Sequence, residues 1–254
     1  MNLKQEMSKL PKPITDKKPP EWDYWRQELW QLAQSDEPEN FTKWPCVYHT
    51  MLQNHWPDAI QWEFWSLPAR WQNLAVCPKS LDDYFSKPGQ IYSATYSLAL
   101  IHQLYHLYRW QDRTGLKVSE LGTIYEFGGG FGAMALACRR LGFTGDYFIY
   151  DLPEFGLLQQ WFLAENGIKA YWPKHIKKTK TNLLIACYSL SEVEIAFRDD
   201  FLTKVEADSY LFLYSNKFES FDNIAYFTYL PQDKAWQHEQ LKHLPPESWY
   251  TFGS

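Results

Sequence analysis

Hydrophobic positions divide the chain into a helical first half and an alternating second half. Trp22, Trp25, Leu29 and Leu32 recur at helix spacing from Glu21 onward. Residues 41–90 are rich in Trp and Pro without a clear period, which predicts short helices and loops. A longer helix is predicted over 91–112, with Leu98, Ile101, Tyr105 and Tyr108 on one apolar face and Ser93 or Ser97 as its cap. His102, His106, Arg109 and Arg113 share another stripe of that helix, a solvated face unless a substrate lies against it.

After Gly115 the period changes. Thr123–Phe127 reads as a strand, Phe131–Leu141 as a helix, and Asp146–Tyr150 as a second strand. Pro153 opens a helix that runs to about Glu165 and stops at Asn166-Gly167. Ile168–Trp172 is a candidate third strand. Asn182–Tyr188 is a continuous apolar run of the kind buried in parallel sheets. Ser191–Val205 reads as a helix, Ser209–Ser215 as a strand and Phe221–Leu230 as a helix. Trp236–Leu244 and Trp249–Phe252 flank a Pro245-Pro246 turn, as in a hairpin. The expected fold class is α/β: a Rossmann-like sheet, mostly parallel with a C-terminal antiparallel hairpin, plus an N-terminal helical extension. The expected divisions are a flexible tail over 1–20, a helical extension over 21–115 and a sheet domain over 116–254. The tail is inferred from five lysines and four prolines in its first 20 residues.

Composition narrows the classes. A formal net charge of -5 argues against a general nucleic-acid binder, which must neutralise many phosphates. No apolar run approaches a membrane span, and a cytoplasmic protein is expected. Cys46, Cys77, Cys138 and Cys187 show no C-x-x-C spacing and read as reduced, small core residues. Aromatic residues make up 18% of the chain, a proportion that fills cores and also suits the apolar faces of sugars. The aromatic-rich N-terminal half also leaves room for a contact with a second copy.

The candidate chemistry sits in Thr123-Ile-Tyr-Glu126-Phe-Gly128-Gly129-Gly130-Phe-Gly132-Ala133, a strand that meets a glycine turn and then a helix. Glycine admits positive φ and leaves no Cβ against a ligand, and the helix start presents free N–H groups. Gly128-x-Gly130-x-x-Ala133 fits a dinucleotide fingerprint. Glu126, Gly128, Gly130 and Gly132 also fit the E-x-G-x-G-x-G pattern of class I methyltransferases. Glu126 favours the second, because a carboxylate there repels a pyrophosphate and attracts a cationic methyl donor. It could instead be a solvated or capped strand-end residue. Asp151 ends the second strand 19 residues beyond Gly132, near the spacing of a ribose-gripping acid. It could equally cap the following helix.

Glu126 to Leu158 resembles the sugar O-methyltransferases of bacterial polysaccharide clusters, within the class I S-adenosylmethionine-dependent superfamily. Asp151-Leu152-Pro153-Glu154 is similar to the ribose-binding strand end of plant-type O-methyltransferases. Tyr188-Ser189-Leu190-Ser191-Glu192 resembles the sugar family's Y-x-L-S-E segment, and the likeness covers roughly 115–254. It implies S-adenosylmethionine as donor, S-adenosylhomocysteine as product and a sugar or glycan hydroxyl as acceptor. Gly128, Gly129, Gly130 and Gly132 would form the donor turn, with Asp151 and Leu152 at ribose. Tyr188 and Ser189 would close over the methionine end, and adenine contacts would come from near Trp172.

An alcohol must lose its proton as it attacks the methyl group, so a nearby base is useful. Glu192 and His106 are the candidates, although Ser189/Glu192 and Ser191/Glu194 each also fit a capping box. No spacing demands a metal; Asp199-Asp200 reads as a solvated pair. The basic run Lys174–Lys180 reads as a solvated loop or as a contact for an anionic acceptor. The rival readings are an NAD(P)-dependent oxidoreductase on the same turn, a phenolic O-methyltransferase, and a non-catalytic methyltransferase-like partner.

Overall fold

The computed structural model describes residues 1–17, 21–52, 57–78, 80–81, 84–86, 95–230, 234–244 and 247–254. The first half carries helices α1 (Leu3–Met7), α2 (Trp22–Ser35), α3 (Pro45–Tyr48), α4 (Pro57–Ser66) and α5 (Ala69–Gln72). A short antiparallel pair, β1 (Tyr84–Ser86) and β2 (Thr95–Ser97), precedes α6 (Leu98–Thr114). Then follow β3 (Thr123–Phe127), α7 (Ala133–Arg140), β4 (Asp146–Tyr150), α8 (Pro153–Glu165), β5 (Thr179–Cys187), α9 (Ile195–Lys204) and β6 (Val205–Ser215). The chain closes with β7 (Lys217–Phe218), β8 (Phe221–Asp222), α10 (Asn223–Thr228), β9 (Trp236–Leu241) and β10 (Ser248–Gly253). Among the described residues no helix is long and apolar enough to cross a membrane.

Two compact units interleave along this chain, where a single cut near residue 115 was expected. A helical unit holds Met1–His106, Gly129–Leu141 and Asp151–Ala170; a sheet unit holds Leu107–Gly128, Gly142–Tyr150 and Tyr171–Ser254. In the sheet unit six strands run in the order β4-β3-β5-β6-β10-β9. The first four are parallel, and β10 is antiparallel to both β6 and β9. This is the α/β sheet with a C-terminal hairpin that the alternation predicts. One of its faces buries Tyr125, Phe127, Leu184, Ala186, Phe212 and Tyr214 against Phe201 of α9 and Phe227 of α10.

The helical unit packs through rings. Phe41 lies 5.3 Å from Phe131, 5.7 Å from Trp161 and 5.7 Å from Phe162. Arg26 of α2 forms a forked pair with the buried Glu154 of α8 at 2.9 and 3.1 Å. Such a two-point guanidinium–carboxylate pair fixes orientation as well as charge.

Several expectations are corrected. The tail over 1–20 contains α1, whose Leu3 and Met7, four apart on one face, are buried. The helix expected from residue 91 starts at Leu98, where Ser97 Oγ accepts from the Leu100 amide at 3.1 Å; residues 91–94 lie outside the described residues. Ile168–Trp172 is reduced to one parallel bridge, Tyr171 with Phe148, because Pro173 follows and cannot donate to a ladder. Ser191–Val205 divides into a 3-10 turn, Ser189–Glu192, and α9, while β6 begins early at Val205. Within Phe221–Leu230 the helix starts only at Asn223, capped by the Asp222 carboxylate on the Ala225 amide at 2.9 Å. The Pro245-Pro246 turn lies outside the described residues.

Arg198 explains the break before α9. It is fully buried and donates to Val193 O at 2.8 Å, Ser191 O at 2.6 Å and Asn223 Oδ1 at 2.7 Å. Desolvation pulls its guanidinium pKa down, and the rings of Phe221 and Tyr226 lie 5.3 and 5.0 Å from it. Its two carbonyl partners hold the 3-10 turn and Val193 out of helical geometry. We expect Arg198→Met to lower stability by about 3 kcal/mol in urea unfolding, because those acceptors stay buried without their donor.

Candidate functional site

The parallel strands β4, β3 and β5 end at one edge of the sheet, and β3–β5 is where the strand order reverses direction. Ligands of open α/β sheets bind outside such a switch point. At that place in the sheet unit, Gly128 donates its amide to Tyr150 O at 2.9 Å, and Ser189 donates its hydroxyl to Phe127 O. A Cβ built on Gly128 would stand 2.2 Å from Ser189 Cβ, and Gly128 has φ of +72°. Glycine is therefore required at 128 by both contact and conformation.

Tyr188 enters the same turn with φ of +64° and ψ of -39°, a region costly for a residue with a side chain, by roughly 1–3 kcal/mol. Its amide donates to Leu213 O at 2.6 Å, and its hydroxyl bonds Ser248 Oγ at 3.0 Å, which hold it there. Ser189 and Ser191 donate their hydroxyls to the carbonyls of Phe127 and Tyr188, and the caps of the 3-10 turn and α9 are Tyr188 and Glu194, neither with a side-chain cap bond, so neither capping box forms. Glu192 ends the 3-10 turn and is half-buried. Glu126 is buried and accepts the Tyr147 hydroxyl at 2.8 Å; it is not a solvated strand-end residue. Burial, with the Glu126 charge added, pushes the Cys187 thiol well above its usual range.

In the helical unit, Gly130 and Gly132 also have positive φ, +56° and +104°, and Gly132 stands at the start of α7. Asp151 gathers the turn. Its carboxylate accepts from the Leu152 amide at 2.7 Å and from Gln159 Nε2 at 2.6 Å. Gln159 Nε2 also donates to Gly130 O at 2.9 Å. A carboxylate offers about four acceptor positions, so these two donors leave room for a hydroxyl. Although the residue as a whole is half-buried, desolvation of its carboxyl group raises the pKa to about 6, against the lowering effect of its hydrogen bonds. Asp151 is not the cap of α8: Leu152 holds that position, without a side-chain cap bond.

The histidine stripe is the main correction on α6. His102 and His106 are buried, their rings 4.0 Å apart, and His102 Nδ1 lies 2.8 Å from Glu63 of α4. Glu63 is itself fully buried, so an acid 39 residues away compensates a face read as solvated. His106 belongs to the helical unit and Glu192 to the sheet unit. At the other end of the stripe Arg109 and Arg113 both bind Glu239 of β9, at 2.8 and 2.6 Å. Asp199 accepts the Tyr226 hydroxyl at 2.8 Å and Asp200 pairs with Lys204 at 2.6 Å. Lys180 lies in β5, 3.4 Å from Glu206, so the basic run is not loop throughout.

Gln159 and Glu63 were not read from the sequence. For Gln159 the signal is faint: it is one of two adjacent glutamines, Gln159 and Gln160, inside the otherwise apolar Leu157–Leu163 stretch of α8. Glu63 carries none, lying in the Trp-rich segment without a period.

No protein-family model matches the sequence, and no curated protein matches it. Solved structures do. A SAM-dependent methyltransferase from Aquifex aeolicus is 12% identical, with 58% of this chain and 90% of that one covered at a TM-score of 0.45. For a putative RNA methyltransferase from Pyrococcus horikoshii the values are 11%, 74%, 97% and 0.46. For a ribosomal protein methylase from Lactobacillus delbrueckii subsp. bulgaricus they are 16%, 60%, 78% and 0.44.

Two outcomes follow. Gly128→Ala should lower stability by about 2–4 kcal/mol in urea unfolding, and adding Ser189→Gly should recover part of it. For Asp151 the folded pKa of about 6 lies above the ordinary 3.8, so between these values the folded protein holds more proton than the unfolded chain. Its contribution should therefore make the ligand-free protein less stable as pH rises through about 4 to 6, by about 1–3 kcal/mol. Asp151→Asn should flatten that slope in thermal melts across this range.

Proposed function

We propose that the protein is a methyltransferase that binds S-adenosylmethionine at the glycine turn, Gly128–Gly132, and transfers its methyl group to a sugar hydroxyl. The observation that carries this reading is Glu126, a carboxylate buried in β3 two residues before Gly128. A pyrophosphate on such a turn needs a neutral or positive setting. Beside Glu126 it would meet a like charge in a desolvated place. A sulfonium nucleoside has the opposite sign, and its ribose can use an acceptor position of Asp151.

Leu152, Tyr188 and Ser189 complete the proposed donor set. The sugar acceptor rests on the Tyr188–Glu192 segment and its resemblance to sugar O-methyltransferases. When bound, the donor supplies an electrophilic methyl carbon. The protein's part is to hold the acceptor oxygen in line with it and to take its proton. Glu192 and His106 remain the proposed bases for that proton.

Thermal-shift measurements with S-adenosylhomocysteine, NAD and NADP test the donor directly. S-adenosylhomocysteine at a hundredfold excess over its Kd should stabilise by about 2.7 kcal/mol, and the dinucleotides should not. Asp151→Ala should abolish the shift. Stabilisation by NAD alone would replace the proposal with the oxidoreductase reading. With donor binding intact, Glu192→Gln or His106→Ala should lower kcat by about 100-fold or more if that residue is the base. Full turnover in either variant removes that residue from the mechanism.

A further inference from the structure

Gln159 is fully buried on α8, in a stretch where Leu158, Trp161, Phe162 and Leu163 supply the packing. A buried primary amide must place both N–H groups or lose their hydration without return. Its Nε2 reaches Asp151 Oδ2 at 2.6 Å and Gly130 O at 2.9 Å. The two acceptors belong to the two parts of the proposed donor site that reach different parts of the nucleoside: the acid for ribose and the backbone of the glycine turn. One side-chain nitrogen thus bonds both parts.

We propose that Gln159 is a positioning residue for the methyl donor, a clamp whose single amide nitrogen locks the Asp151 carboxylate to the glycine turn before the donor arrives. The clamp rests on the methyl-donor reading and deepens it. Two features support a role beyond packing. The amide aims its donors at an anion and a turn carbonyl, where an apolar side chain would fill the same space on an apolar helix. The bond to Oδ2 fixes which carboxylate oxygen is committed, and the Leu152 amide fixes the other at 2.7 Å.

The clamp makes its removal legible in a pH profile. Gln159 donates to the ionised form of Asp151 and so holds its pKa down against burial. In Gln159→Leu that bond is gone. Affinity for S-adenosylhomocysteine at pH 7 should fall about tenfold or more. The pH below which affinity is lost should also rise above that of the wild type. Gln159→Glu should invert the trend: a carboxyl beside Asp151 shares one proton at low pH and repels it when both ionise, so binding should weaken as pH rises.

The experiment is isothermal titration with S-adenosylhomocysteine from pH 5 to 8 on the full chain and both variants, with circular dichroism to confirm folding. Gln159 side-chain amide resonances are followed by NMR in the wild type, a measurement that needs no variant. They should move as Asp151 titrates and move again on adding S-adenosylhomocysteine. Wild-type binding with an unmoved profile in a folded variant, or with unmoved Gln159 resonances, overturns the clamp and leaves the donor reading standing. No wild-type binding at any pH overturns the donor reading and the clamp together.

Discussion

The start of α8 and the glycine turn are tied together by one desolvated charge. Asp151 presents a carboxyl group whose burial raises its pKa to about 6, and two donors bond it: the Leu152 amide and Gln159. Each of those donors carries something else with it. Leu152 begins α8, and Gln159 extends the network to Gly130 O. Replacing the carboxyl by an apolar group would leave both donors without that acceptor, at a cost of about 1–3 kcal/mol for the buried Gln159. The conformation of the glycine turn is thus set by a need for acceptors as much as by the freedom of its glycines.

The sheet unit answers a different constraint, the close passage of two chain segments at the switch point. Ser189 lies so near Gly128 that no side chain fits there, and its hydroxyl completes the contact on Phe127 O. That approach requires Tyr188 to turn through a left-handed conformation, held by Leu213 O and Ser248. It also requires the segment after Ser189 to leave helical geometry, which the buried Arg198 stabilises through Ser191 O and Val193 O. The backbone strain at Tyr188 and the enclosed cation at Arg198 belong to one arrangement. It keeps Ser189–Glu192 compact against the end of β3.

The strands β3 and β4 and the helix α8 match their expected bounds because each has a local cause: a run of β-formers closed by glycine or Asp, or a proline at the first helical turn. The glycine turn and Asp151 were legible for the same reason. What escaped depends on partners distant in sequence. The stripe of His102 and His106 has the spacing of a solvated face, and only Glu63, in a segment without periodicity, makes its burial tolerable. Residues 168–172 have strand composition, but Pro173 removes the next ladder donor and leaves Tyr171 a single bridge. Gln159 gives only a faint signal because what distinguishes it from Gln160 is a pair of hydrogen bonds, which a helical period does not show.

The energetics of Asp151 bear on its role as well as its geometry. A carboxylate kept as a helix cap is stabilised by its amides, so its pKa falls and it contributes stability at neutral pH. Asp151 does the reverse: its hydrogen bonds fail to offset its burial, and its ionised form weakens the ligand-free fold above about pH 6. Asparagine or serine could take the Leu152 amide without that penalty. An acid is intelligible at this position if something else draws on its charge, as the ribose hydroxyls of the proposed donor would.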